Sequence, residues 1–219
     1  AQERPTLYVY VHTTVTAQAL QKQLQQALPE VTVTVFGRHR DFSKMLVRSP
    51  PDAVLARGIV LTSLGLSISL KGARKGQTAE AYSLLTLKGP ISANSAASMR
   101  IGVVDLLGRK EMGSFVAGLL GSDQDVQVRR VTKLEDLLSV LSLNVADGVV
   151  LPVSFIPTLQ KSSKRDLHIA ELPGASVPLP SVAILNRTHK GLLTRALRGV
   201  GKTSLARLGL DSWDGGDAN

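Results

Sequence analysis

The stretch Ile101-Gly102-Val103-Val104-Asp105, with Leu106-Leu107-Gly108-Arg109-Lys110 and then residues 111–120 behind it, constrains this chain more than any other. An apolar run ends in an acid, a short loop with Gly follows, and residues of helical character complete the unit. That order is the strand, loop, helix unit of an open α/β sheet, where chemistry gathers at the carboxyl end of the strand. The chain opens in the same way at Leu7-Tyr8-Val9-Tyr10-Val11-His12-Thr13-Thr14. Two such starts within 219 residues predict two small sheets, each in a lobe of common domain size.

Hydrophobic periodicity supplies the rest of the order. Residues 7–11 read as a buried strand. Ala17, Leu20, Leu24, Ala27 and Leu28 recur at helical spacing until Pro29 stops the helix. Residues 31–36 alternate with period two, 40–47 form a short helix, and 52–56 form a third strand with Arg57-Gly58 at its end. This β-α-β-α-β order predicts parallel pairing with right-handed crossovers. Residues 66–70 and 81–87 read as strands around the basic turn Lys71-Gly72-Ala73-Arg74-Lys75-Gly76, and Lys88-Gly89-Pro90 as a crossover into the second lobe.

There the pattern repeats: strand 101–105, helix 111–120, strand 126–131, helix 133–143 capped by Thr132, and strand 147–151. A strand over 167–172 leads into the proline-rich return 173–180, after which 182–185 re-enters the first sheet. A helical pair spans 190–208, and 214–219 should fray. The reading is therefore an α/β chain of mostly parallel sheets with two crossovers. Lobe one holds 1–89 and 177–219, and lobe two holds 90–176.

Net charge is +9, and its location matters more than its size. Residues 92–172 carry nine Lys/Arg against nine Asp/Glu, so the excess lies wholly in the flanking segments. A basic first lobe favours anionic ligands or an acidic partner surface; a solvated cationic face accounts for it equally well. Nucleic acid is not expected, because aromatics are 4% and no basic stripe is interleaved with stacking residues. No run of about 18 apolar residues exists to cross a membrane. The absence of cysteine removes disulfides, thiol catalysis and Cys-zinc sites. Ala1-Gln2-Glu3 suits a mature chain already cut after a small residue, although a trimmed chain would look the same; the expected location is extracytoplasmic, with a signal peptide removed.

Gly199-Val200-Gly201-Lys202-Thr203-Ser204 ends like a phosphate-binding P-loop. The Gly that should begin the loop is Ala196, and the run follows a helix rather than a strand. Nucleotide hydrolysis therefore lacks its context. Candidate ligand contacts are drawn instead from strand ends. His12, Thr13 and Thr14 follow the first strand, Arg38 the second, and Arg57 with Gly58 the third. Hydroxyls, helix N–H groups and an arginine fork can hold carboxylate or phosphate, although helix capping by threonine explains the hydroxyls as well. In the second lobe Asp105 and Arg109 flank the loop and could pair with each other, and Ser154 follows a strand. His39, His168 and His189 lack metal-ligand spacing, and no acid/base or nucleophile set is present. No cofactor, metal or catalysis is expected.

With these pieces placed, the chain resembles the type II periplasmic solute-binding proteins, in their phosphate/phosphite/phosphonate-binding branch. The resemblance rests on Asp52-Ala53-Val54-Leu55-Ala56 through Leu64-Gly65-Leu66, and on Val131-Thr132-Lys133-Leu134-Glu135-Asp136-Leu137 through Val145-Ala146-Asp147-Gly148-Val149. It rests most on the tail, Leu197-Arg198-Gly199-Val200-Gly201 followed by Ser204-Leu205-Ala206-Arg207-Leu208-Gly209-Leu210-Asp211-Ser212-Trp213. It implies a hinged monomer that closes on a small polar, anionic ligand and presents it to a membrane permease or receptor. The phosphonate binders carry Ser/Thr where this chain has Leu106-Leu107-Gly108-Arg109-Lys110. Arg109 or Lys110 would then serve the anion, or the site has become a ligand-poor scaffold for protein contacts.

Overall fold

The computed structural model describes residues 4–214. In the first third of the chain β1 (Thr6–Tyr10), α1 (Ala17–Ala27), β2 (Thr32–Val35), α2 (His39–Arg48), β3 (Ala53–Arg57) and α3 (Gly58–Ser63) follow one another. Thr16 starts α1 by accepting the Ala19 N–H at 3.2 Å, which satisfies one of the helix's free donors. As the alternation of apolar and helical segments predicts, β1 pairs in parallel with β2 and with β3. Along β1 the side chains alternate between faces. Leu7, Val9 and Val11 join Leu20, Leu24 and Leu28 of α1 in one core, while Tyr10 stacks on Phe42 of α2. The two helices thus cover opposite faces of the sheet, as right-handed crossovers on either side of β1 require.

The remaining elements are β4 (Lys71–Ala73), β5 (Ala79–Thr86), α4 (Ala93–Ala96), β6 (Arg100–Val104), α5 (Met112–Leu120), β7 (Gln127–Val131), α6 (Asp136–Ser142), β8 (Gly148–Pro152), α7 (Ile156–Ser162), β9 (His168–Pro178), β10 (Pro180–Ile184), α8 (Lys190–Arg198), α9 (Lys202–Arg207) and β11 (Ser212–Asp214). Contacts divide the chain into two units. One runs to Ala79 and resumes at Pro178; the other is Glu80–Val177. The first unit has a sheet of order β10-β3-β1-β2, with β10 antiparallel to β3, and a small β11-β4 ribbon. Leu193 and Leu197 of α8 and Leu205 of α9 pack into the core beside α1. Gly199 to Gly201 join these two helices, so the P-loop-like string is a helix–helix joint.

The second unit has a five-stranded sheet of order β7-β6-β8-β5-β9. β6 runs parallel to both β7 and β8, and β8 is antiparallel to β5. Leu137 and Leu141 of α6 and Ile156 and Leu159 of α7 pack with Leu85, Val149 and Leu151 on one side of it.

Four local expectations differ from the structure. Residues 66–70 form no strand; only Leu70 makes an isolated bridge, to Val182, while β4 lies within the segment read as a turn. Lys88-Gly89-Pro90 is internal to the second unit, because β5 is hydrogen-bonded into that unit's sheet. The proline-rich return is mostly strand: β9 is the sheet's outer strand, the position where proline is tolerated, and Gly174 absorbs a left-handed φ of 79°. Finally, α6 starts at Asp136 rather than behind Thr132, with Glu135 at its N-cap and no side-chain cap. Of the expected frayed end, Asp214 belongs to β11, and 215–219 lie outside the described residues.

Candidate functional site

In the first unit the parallel strands β1, β2 and β3 deliver His12, the Arg38-His39 pair and Arg57 at their carboxyl ends. The backbone brings three of these into electrical contact. The imidazole of His12 is held far below its ordinary value, to about 3, by burial first and then by the charges of Arg57 and His39. It is a neutral ring at physiological pH, able to donate from one nitrogen and accept at the other. Beneath it lies an aromatic bed. Tyr10 meets His12 edge-on at 5.1 Å and His39 at 5.9 Å, and stacks on Phe42 at 5.0 Å with a 12° interplanar angle. His39 also contacts the Ser43 hydroxyl at 3.2 Å, one helical turn on.

The other expected residues of this unit divide. Thr13 folds its hydroxyl into its own turn, donating to the Val15 carbonyl at 3.1 Å, and Thr16 rather than Thr13 or Thr14 caps α1. Thr14 is exposed. Arg38 is the N-cap residue of α2, in extended backbone, and its side chain is exposed. Arg57 occupies the junction of β3 and α3 and donates weakly to the Pro178 carbonyl at 3.5 Å. Gly58 is there for close packing, since a Cβ would lie 2.7 Å from the Pro178 Cβ. His39 and Tyr10 are the residues that sequence reasoning passed over. The signal for His39 was its place beside Arg38 at a strand end, which outweighs the lack of metal-ligand spacing.

In the second unit the loop after β6 is organised inward. Asp105 does not pair with Arg109. One carboxylate oxygen accepts the Gly108 N–H at 2.8 Å, and the other takes the Arg130 guanidinium of β7 at 2.5 Å. The Leu106 and Leu107 N–H groups point at the Met112 thioether, 3.4 Å from each, and both leucines are buried. With three of its amides committed in this way and no hydroxyl among 106–110, the loop turns its backbone donors inward; Arg109 and Lys110, both exposed, are its outward polar groups. Ser154 stands in the single turn Val153–Phe155 behind β8 and donates to Glu80 at 2.7 Å. Glu80 is a carboxylate only 8% exposed, and it too was missed. An acid inside the otherwise apolar strand of Ala79, Ala81 and Tyr82 was the available cue. Among the described residues no group of three His, Cys, Asp or Glu side chains is placed to hold a metal, and no helix is long and apolar enough to cross a membrane.

Comparison with solved structures places this architecture. The chain is similar to the ArgBP of T. maritima with arginine bound, at 15% identity and a TM-score of 0.60 over 90% of this chain and 97% of that one. It is similar to an ABC uptake transporter substrate binding protein from Streptococcus pneumoniae with bound histidine, at 13% identity and 0.65, over 96% and 95%. A Xanthomonas citri protein bound to ATP is similar at 13% identity and 0.64, over 97% and 92%. The fold is that of the type II periplasmic binding proteins, two α/β units built on mostly parallel sheets. No family model and no curated protein matches at the level of sequence.

Proposed function

We propose that this protein is a solute-binding protein that takes a small polar, anionic ligand at the carboxyl ends of β1, β2 and β3, and that a membrane permease or receptor reads the bound form. The observation that carries the reading is the grouping, where three strands end, of neutral His12 and His39 against the Tyr10 ring, with the Arg57 charge acting on His12. A guanidinium matches the two oxygens of a carboxylate or phosphate. A neutral imidazole adds a directed hydrogen bond without a second fixed charge. Thr14, Arg38 and the backbone at Thr13 and Gly58 line the same strand ends; in the second unit, taken by itself, Arg109 and Ser154 are exposed polar groups and Asp105 braces the loop after β6.

The structures named above hold arginine, histidine or ATP, each with a carboxylate or phosphate. None of these supports the phosphonate branch, and the amide-poor loop 106–110 argues against it. An amino acid is the ligand class favoured here. In this reading the protein is a non-enzymatic, extracytoplasmic monomer. A ligand-poor scaffold of the same fold is the second reading, favoured by the inward commitment of the Leu106, Leu107 and Gly108 amides.

A thermal-shift panel of the twenty amino acids and common oxyanions tests the choice. At ligand concentrations of 100 Kd the folded state gains about 2.7 kcal/mol, a shift of several degrees. At least one amino acid should raise the melting temperature of the native chain and fail to do so for Arg57→Ala. Silence across the panel transfers the function to the scaffold reading.

A further inference from the structure

Three helices of the first unit, α1, α8 and α9, lie in one layer over the same face of its sheet. Their leucines share one core: Leu20 and Leu24 from α1, Leu193 and Leu197 from α8, and Leu205 from α9, against Leu7 and Val9 of β1. Gln23 of α1 donates to the Ser204 hydroxyl of α9 at 3.4 Å, and Gly199 to Gly201 tie α9 to α8.

Helical spacing decides what this layer shows to solvent. Lys22 stands midway between Leu20 and Leu24, and Arg195 midway between Leu193 and Leu197, about 200° around the helix from each. With those leucines buried, both cations point away from the sheet. Arg198, Lys202 and Arg207 are exposed on α8 and α9 beside them. Among the described residues the side chains of Lys22, Arg195, Lys202 and Arg207 form no hydrogen bond or ion pair. Neither residues 4–29 nor residues 172–210 contain an Asp or Glu, so no acid stands on any of the three helices. Beyond α9, Asp211 is taken up by the Lys75 N–H at 2.7 Å and the Ser212 hydroxyl at 2.8 Å.

The outer face of the layer is cationic without being apolar. The large hydrophobic side chains exposed among the described residues, Val47, Leu143, Val145, Val153, Ile169 and Leu185, all lie outside these helices. A protein interface centres on aromatic or aliphatic anchors, and single-stranded nucleic acid requires stacking rings; this face offers neither. Anionic phospholipid headgroups ask only for cations on a broad face, each Lys or Arg near such a surface adding to the attraction.

We infer that the face formed by α1, α8 and α9 adsorbs to a membrane surface of anionic phospholipids, with Lys22, Arg195, Lys202 and Arg207 against the headgroup phosphates. The contact is peripheral, since these helices expose no large apolar side chain to enter the acyl region. It is separate from the strand-end site and holds the protein at the membrane with or without solute.

Co-sedimentation of the full chain with phosphatidylcholine vesicles containing about one-third phosphatidylglycerol tests this. No solute is needed, so a failure here leaves the strand-end reading untouched. Binding should appear at about 50 mM salt, weaken at least tenfold at about 300 mM, and be missing on pure phosphatidylcholine. The triple variant Lys22→Gln/Arg195→Gln/Arg207→Gln should bind about a hundredfold more weakly, about fivefold per charge. Arg40→Gln/Lys44→Gln/Arg48→Gln removes the same charge from exposed positions on α2, across the sheet, and should lose less than fivefold. Melting temperatures should be retained in both; if a triple variant does not fold, Arg195→Gln against Arg48→Gln makes the same comparison. The inference is overturned by no binding to the anionic vesicles or by equal losses in the paired variants. It is also overturned if duplex DNA or polyglutamate binds this face more tightly than the vesicles at equal concentration of charge, which would reassign it to nucleic acid or an acidic protein.

Discussion

Asp52 and Asp147 do the same work in the two units. Each stands immediately before a central strand, β3 or β8, and each binds the first turn of a neighbouring strand's backbone. The Asp52 N–H donates to the Thr6 carbonyl at 3.1 Å while its carboxylate accepts the Thr6 N–H at 2.7 Å. The Asp147 N–H donates to the Arg100 carbonyl at 2.8 Å while its carboxylate accepts the Arg100 N–H at 3.1 Å. Around this shared core the partners diverge. Asn186 adds a bond to Asp52 at 2.7 Å, whereas the Arg100 guanidinium grips Asp147 with bonds of 2.8 and 3.0 Å.

Both carboxyls consequently titrate low. The Arg100 side chain, chiefly, takes Asp147 from 3.8 to about 2. Burial pushes Asp52 up, but bonds from Thr6 and Asn186 outweigh it and lower it overall. Since folding depresses both, their contribution is complete above the unfolded value near 4 and is lost as pH falls through the folded values. Melting temperature should drop between pH 4 and 2, and Asp147→Asn should flatten that acid limb. Asp52→Ala, which strands the Thr6 amide, should cost about 1–3 kcal/mol at pH 7 by urea denaturation.

His12 makes the chain sensitive in a different window. Its folded value near 3 lies below the ordinary 6.5, so the folded state favours the neutral ring. Stability is complete above about pH 6.5 and declines below it, by up to about 1.4 kcal/mol per pH unit until pH approaches 3. Urea midpoints at pH 7, 6, 5 and 4 should show this slope in the native chain and lose it in His12→Gln. An imidazole C2–H resonance of His12 that titrates near pH 6.5 in the folded protein would refute the assignment.

Phe42 supports this histidine through Tyr10. It is fully buried, and its ring stacks on Tyr10 and tilts against Phe36 at 5.8 Å. Phe42→Ala should cost about 3–5 kcal/mol. By loosening the Tyr10 ring it should also raise the His12 value toward 6.5, which the same pH series would read.

Gly72 is the tightest backbone approach in the first unit. A Cβ there would fall 2.0 Å from the Pro180 carbonyl oxygen and within 3 Å of Leu210. Gly72→Ala must separate β4 from its neighbours and should destabilise the fold by about 1–3 kcal/mol or more, measured as a lower urea midpoint. Gly65→Ala, at a left-handed φ of 69° with open space around it, serves as the comparison in which backbone strain acts without a clash.

What could be read from the order of residues followed from short-range physics. Leu7, Val9 and Val11 alternate with Tyr8 and Tyr10, and Leu20, Leu24 and Leu28 recur at helical spacing, so β1, α1 and their parallel pairing were legible, as was the repeat begun at Ile101. Asp52 and Asp147 were read only as the first residues of the strands at 52–56 and 147–151; their common grip on a neighbouring strand was not legible. Where the signal is proline, the reading went astray. Pro173 and Pro178 break a central strand but not an outer one, and only the sheet order reveals which β9 is.

The site was decided by distance across the chain. His39, unremarkable in sequence, matters because β1 and β2 pair in register and set it near His12; Asp105 meets Arg130 rather than Arg109 because β7 lies beside β6. Local sequence determines which stretches become strand or helix, because dihedral preference and apolar periodicity act over a few residues. Which charges neutralise, which histidine loses its proton and which arginines remain unpaired depend on neighbours many residues away, and those only strand pairing and burial select.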